Sequence, residues 1–369
     1  MSYELALDVV DRVRQLWKVD NELMCWMGDV SPRAMLTEGY GFDWWPGDFK
    51  VSLRVHGPHR VDAGDDVPTY RMSVRTEVLE GVDVTASSAL VQLAEANAGR
   101  PGLALALAPP EIVAMDAEID RHLPVHMSTV AYVNAGTWGW LADVFAGVAV
   151  LQPGEVQRIA ADLAGRMGGR IAHALPPGQA GNTPHDEMLM VDELYLLDGA
   201  APDLELAARE FPEIMSRWGS TEWTYGHAEE GRACLEMSFG DQSALLWLHR
   251  DLALERLGYG LTANLMLPYR ASAQETAQLA NFLNYSEAGG WTDGYPALLG
   301  TWLAQVEEDG LYRLCHRSFV PRLLDRDGIG AAVTDWMLSR AQWAKRTCWP
   351  DLRNRPLAET LSHRRRLTE

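Results

Sequence analysis

TAQLANFLN, residues 276–284, decides how this chain reads, because residues 90–97 already spell LVQLAEAN. Both carry Gln-Leu-Ala, as Gln92-Leu93-Ala94 and Gln278-Leu279-Ala280, at an offset of 186 residues. Both then reach an asparagine, Asn97 and Asn284. A second echo, TEGYG at 37–41 and TEWTYG at 221–226, has an offset of 184. Offsets that agree in order along a chain mark a duplicated module.

The flanking pattern repeats as well. Residues 3–18 place Leu5, Val9, Val13 and Leu16 on one helical face. A turn-rich stretch follows, GDVSPRAMLTEGYGFDWWPGD. FKVSLRVHG then alternates Val51, Leu53 and Val55 against Lys50, Ser52 and Arg54, a half-buried strand. TYRMSVRTEVLEG sets Tyr70, Met72 and Val74 opposite Arg71, Ser73 and Arg75. TASSALVQLAEANA reads as a helix capped by Thr85 or Ser87. A strand pair and a helix from Gln152 close the first half. The second half repeats the order. A helix over 203–218 precedes three strands, the helix SAQETAQLANFLNYSEA, a hairpin turning at EEDG, and a last helix from Ile329. PPGQAGNTPHDE, rich in proline and glycine, marks the boundary between the halves.

The predicted class is α+β, two tandem modules of order α-β-β-(β)-α-β-β-α, each an antiparallel sheet with helices packed on it. The modules span residues 1–175 and 188–352, with a linker at 176–187 and a basic tail at 353–369 that carries Arg364, Arg365 and Arg366. This order, with its small-residue central helices and the strand pair after each, resembles the fold of bacterial type III secretion chaperones and YbjN-like proteins. The resemblance implies a peptide- or protein-binding module, with the two halves forming an intramolecular pseudo-dimer.

Composition narrows the function. The net charge of −19 repels phosphate backbones and anionic lipid, so neither nucleic acid nor a bare membrane is an expected partner. The first residues are acidic at Glu4, Asp8 and Asp11, and no apolar run is long enough to span a bilayer. Together with four cysteines and no C-x-x-C, this predicts a cytoplasmic protein with reduced thiols. Nucleotide-binding, esterase and metalloprotease signatures are lacking in the sequence. His56, His59, Asp62, Asp65 and Asp66 crowd one loop, but a polar hairpin loop explains them better than a metal site. Glu307, Glu308 and Asp309 read as turn acids. Adjacent Cys315 and His316 point to opposite strand faces. No cofactor, metal or catalytic set is therefore expected.

The 14 tryptophans are the unusual signal. Neighbouring side chains on a strand point opposite ways, so Trp44-Trp45 should leave one ring toward solvent or a groove. With Asp43 and Asp48 beside them, and Trp138 and Trp140 further on, they form the expected groove for a basic or apolar client segment. Packing of these rings beneath a loop is the competing reading. The sequence thus favours a non-enzymatic peptide- or protein-binding protein. A structural or regulatory subunit of a larger assembly, or an enzyme with its site between the modules, are the alternatives.

Overall fold

In the computed structural model, the described residues are 2–16, 24–27, 39–45, 48–59, 69–83, 86–99, 104–107, 122–134, 138–173, 203–205, 211, 223–229, 231–254, 258–289, 300–322 and 329–345. The first half runs α1 (Ser2–Leu16), β1 (Met24–Met27), β2 (Tyr40–Trp44), β3 (Val51–His59), β4 (Thr69–Asp83), α2 (Ser87–Ala98), β5 (Ala104–Leu107), β6 (His122–Val133), α3 (Trp138–Met167) and the short β7 (Arg170–Ile171). The second half runs β8 (Trp223–Glu229), β9 (Arg232–Phe239), β10 (Gln242–His249), the short β11 (Ala253–Leu254), β12 (Gly258–Ala271), α4 (Ala273–Gly289), β13 (Thr301–Val306), β14 (Tyr312–Pro321) and α5 (Ile329–Trp343).

The two sheets are antiparallel and share one topology. Their strand orders are β1-β2-β3-β4-β6-β5 and β8-β9-β10-β12-β14-β13. Each sheet therefore places four sequential strands side by side, then inserts the hairpin after the central helix in reverse order. The α+β tandem architecture is as expected, with four main strands before each central helix rather than two or three. β2, within the stretch that reads as turn-rich, supplies the bracketed third strand of the first module. β1 has four residues, too few to show a period of two. The Tyr-Gly echo does not join equivalent strands: Tyr40-Gly41 opens β2, whereas Tyr225-Gly226 lies in β8, the counterpart of β1.

Helix ends differ from the sequence reading in instructive ways. α2 has Ala86 at its N-cap with no side-chain cap, and Ser87 is already its first helical residue; Thr85 lies outside the described residues. α4 opens with a capping box instead. The Glu275 N–H donates to Ser272 Oγ at 3.3 Å, and the Ser272 N–H donates back to Glu275 Oε2 at 3.3 Å. α3 starts at Trp138, well before Gln152, and contains Pro153. The helix expected over 203–218 and the proposed linker fall largely outside the described residues, as does the basic tail.

Packing follows the alternation along each strand. In the first sheet Phe42, Trp44, Val51, Leu53, Val55, Met72 and Val74 share the inner face, which α1 and α3 cover. In the second, Leu235, Met237, Leu246, Leu248, Ala263 and Leu265 face inward. The central helices join the halves. α2 lies against α4 and β13, while α4 lies against α2, β5 and β6. Ala277 of α4 belongs to the core cluster that Leu90, Leu93 and Leu105 build in the first module.

The repeated asparagines close the inner sheet edges. Asn97 Nδ2 donates to the Leu105 carbonyl at 2.8 Å and Asn97 Oδ1 accepts the Leu105 N–H at 2.8 Å. Asn284 repeats the exchange with Trp302, at 2.9 and 2.8 Å. β5 and β13 end their sheets, so these amides satisfy backbone groups that an edge strand leaves unpaired.

Candidate functional site

Trp44 and Trp45 do not line an open groove; they pack inside, as the competing reading has it. Trp44 is 3% exposed and Trp45 6% exposed, so both rings are packed inside. Trp44 lies in β2 between Met24 of β1 and Val51 of β3, on the inner face, and Trp45 follows the end of that strand. Two adjacent tryptophans point apart only while both stay in the strand. Asp43 is buried as well, accepting from Ser52 Oγ at 2.7 Å and pairing with Arg54. Asp48 is half-buried in the bend after β2. Trp138 and Trp140 stand two positions apart in the first turn of a helix rather than on a strand, and their side chains lie outside the described residues.

The outer face of the first sheet is the more informative surface. β2, β3, β4 and β6 send Asp43, Ser52, Arg54, Arg71, Ser73, Arg75, His126, Ser128 and Tyr132 to it, as their cross-strand register dictates. Arg54 is neutralised in place. It pairs with Asp43 and donates through Nη1 to the Phe42 and Leu53 carbonyls, each at 2.8 Å. Arg75 instead meets a histidine: its Nη2 lies 3.0 Å from His126 Nδ1 and also contacts Nε2. Burial, helped by the Arg75 charge, pushes the His126 pKa down to about 3, so this imidazole is neutral.

Arg71 is the least satisfied group on this face. It is half-buried, and its Nε is enclosed without a hydrogen-bond partner among the described residues. Burial pulls the pKa of Arg71 and of Arg75 down, though both guanidinium groups stay charged. Glu77 acts on Arg75 at longer range. Among the described residues neither arginine has a carboxylate within ion-pair distance. A buried N–H left unpaired costs about 1–3 kcal/mol, and more when the group is charged. An acceptor seated on this face would relieve that cost.

α4 of the second module borders the same face. Its Asn281 bonds to β5, and its Tyr285 lies close enough to act electrostatically on Arg75. The second sheet's outer face is different in character. Trp247 stacks on His249 with ring centroids 6.0 Å apart. Arg317 donates to Asn264 Oδ1 at 2.8 Å and to the Ala98 carbonyl at 3.2 Å, at the C-terminal end of α2.

Glu307, Asp309, Cys315 and His316 pair or pack within the second module. Glu307 and Asp309 sit in the β13–β14 turn and pair with Arg270, and Glu307 pairs with Arg313 as well. Cys315 and His316 occupy opposite faces of β14, and burial pushes the Cys315 thiol up to about 12. His316 is fully buried against Trp302, ring centroids 5.0 Å apart, and both ring nitrogens lack partners among the described residues. Trp302 donates from Nε1 to Glu287 at 2.7 Å, and Arg340 pairs with the same oxygen at 3.2 Å. Among the described residues no group of three or more histidine, cysteine or acidic side chains could hold a metal ion; Asp62, Asp65 and Asp66 lie outside them. Among the described residues, too, no helix is long and apolar enough to cross a membrane.

Compared with protein-family models, curated proteins and solved structures, the chain matches none. Its site must be read from its own residues. The signal for the outer face was present in the sequence, because Ser52, Arg54, Arg71, Ser73 and Arg75 all fall on the polar side of two alternating strands. Alternation alone assigns such positions to solvent. Only the strand register shows the arginines gathered on one sheet face.

Proposed function

We propose that this chain is a non-enzymatic protein-binding protein, a single-chain pseudo-dimer that holds a client segment on the outer face of its first sheet. Arg71 carries the proposal: a half-buried cation, its Nε enclosed and without a partner among the described residues, in the middle of a polar sheet face. In the second module, too, the described thiols favour binding over catalysis. Cys234 and Cys315 are buried with their thiol pKa values raised, which disfavours thiolate formation. The resemblance to secretion chaperones and YbjN-like proteins supports the same reading.

The test is capture of a client by the tagged chain and by its Arg71→Glu variant, with amide exchange measured on the complex. The expected result is a client held by the unmodified chain, protection over residues 51–59 and 69–83, and loss of both on charge reversal. A client retained equally by the variant would sink the proposal.

A further inference from the structure

We infer that the client segment is acidic and extended, with carboxylates seated on Arg71 and Arg75. This rests on the protein-binding reading above. It reverses the sequence-based expectation of a basic or apolar client.

The geometry of β4 sets the spacing. Arg71, Ser73 and Arg75 are alternate residues on one strand and share the outer face. Strand rise separates the two arginine Cα atoms by about 13 Å. A client strand has the same rise and the same period of two. Acids four residues apart on it meet both guanidinium groups, and the residue midway faces Ser73. Guanidinium is suited to this task because its planar fork matches a carboxylate edge. Arg54, the nearest other cation, is already paired with Asp43, so the demand for an anion falls on Arg71 and Arg75. Neutral His126 beneath Arg75 fixes that side chain without cancelling its charge. Elsewhere the net charge of −19 repels an acidic segment. Recognition therefore comes from contact at these two side chains and not from the long-range field.

The experiment uses the full chain and a fluorescent peptide alternating Glu and Thr, long enough to span both arginines. Counterparts with Gln or Lys in place of Glu, and an oligothymidine of matched charge, serve as comparisons. Anisotropy reads affinity, and a photo-crosslinking side chain introduced at Ser73 reads position. The Glu peptide is expected to bind and to crosslink, with the Gln counterpart about tenfold weaker or worse. Arg71→Gln and Arg75→Gln should each weaken the Glu peptide about tenfold, the size of one lost charge-assisted hydrogen bond. Unfolding midpoints of the two variants confirm that they fold. Gln or Lys peptides that bind and crosslink as well as the Glu peptide would overturn the acidic preference and leave the binding face standing. Tighter binding of the oligothymidine, or equal binding of Glu peptide by the variants, would also overturn it. No peptide bound at all, together with client capture indifferent to Arg71→Glu, would remove both readings.

Discussion

The side chain of Asn281, in the second module, completes the edge of the first module's sheet at Leu107. Its Oδ1 accepts the Leu107 N–H at 2.9 Å, and its Nδ2 donates to the Leu107 carbonyl at 2.8 Å. Asn97 does the same for Leu105 from within the first module, so two amides from two modules line one edge of β5. Asn281→Ala would leave both Leu107 groups buried and unpaired. The expected loss is about 2–4 kcal/mol, read as a fall in the urea midpoint. Asn281→Asp should be at least as harmful at neutral pH, because a carboxylate cannot donate to the Leu107 carbonyl. It should recover partly on mild acidification, when the acid gains a proton to donate.

Glu287 organises the centre of the second module. One of its oxygens accepts from Trp302 and pairs with Arg340, and Arg340 is 1% exposed. Removing one member of a buried pair leaves the other charge stranded, at a cost of about 3–5 kcal/mol. Glu287→Gln is therefore expected to lower the unfolding midpoint strongly. Replacing both members, Glu287→Leu with Arg340→Met, should cost less than the single change. Equal or larger damage in the double variant would contradict this account.

Trp44 separates packing from binding. Its ring is part of the main core cluster with Phe42, Val51 and Leu53. Trp44→Ala should cost about 3–5 kcal/mol by transfer and cavity terms. The chain should lose stability first and client only through unfolding. A Trp44→Ala variant with an unchanged midpoint and lost client would restore the tryptophan groove.

Two buried histidines make stability depend on pH. His126 titrates near 3 in the folded chain, and burial also holds His316 well below its ordinary value. An unfolded histidine titrates near 6.5. Below that value the unfolded chain binds more protons, so the folded state is favoured less. Stability is fully present above about pH 6.5 and falls as the pH drops toward 3, by up to about 1.4 kcal/mol per unit for each histidine. Urea midpoints from pH 7.5 down to 4.5 should trace the decline. His126→Gln should flatten it while keeping a partner for Arg75. An unchanged slope in that variant would remove His126 from the account.

The sequence by itself determined the class and the repeat. Strand alternation in β3 and β4, the hairpin at 306–312 and the Gln-Leu-Ala helices all follow from local periodicity, which a chain writes residue by residue. The structure places those helices alike, with Leu93, Ala94, Leu279 and Ala280 all buried. Tertiary structure decided the rest. β1 was too short to show a period, and α3 carries Pro153, the residue type that sequence rules take as a helix boundary. The tryptophans misled because their burial depends on which elements cover β2, and the sequence does not state that. Asn97 and Asn284 were visible as a repeat, but their task was not. An amide finds an unpaired edge only after strands distant in sequence have set the order of the sheet. The same holds for Arg71 and Arg75. Their charges are local facts, while their place on one shared face, with Arg71 half-buried and Arg75 exposed, comes from long-range register.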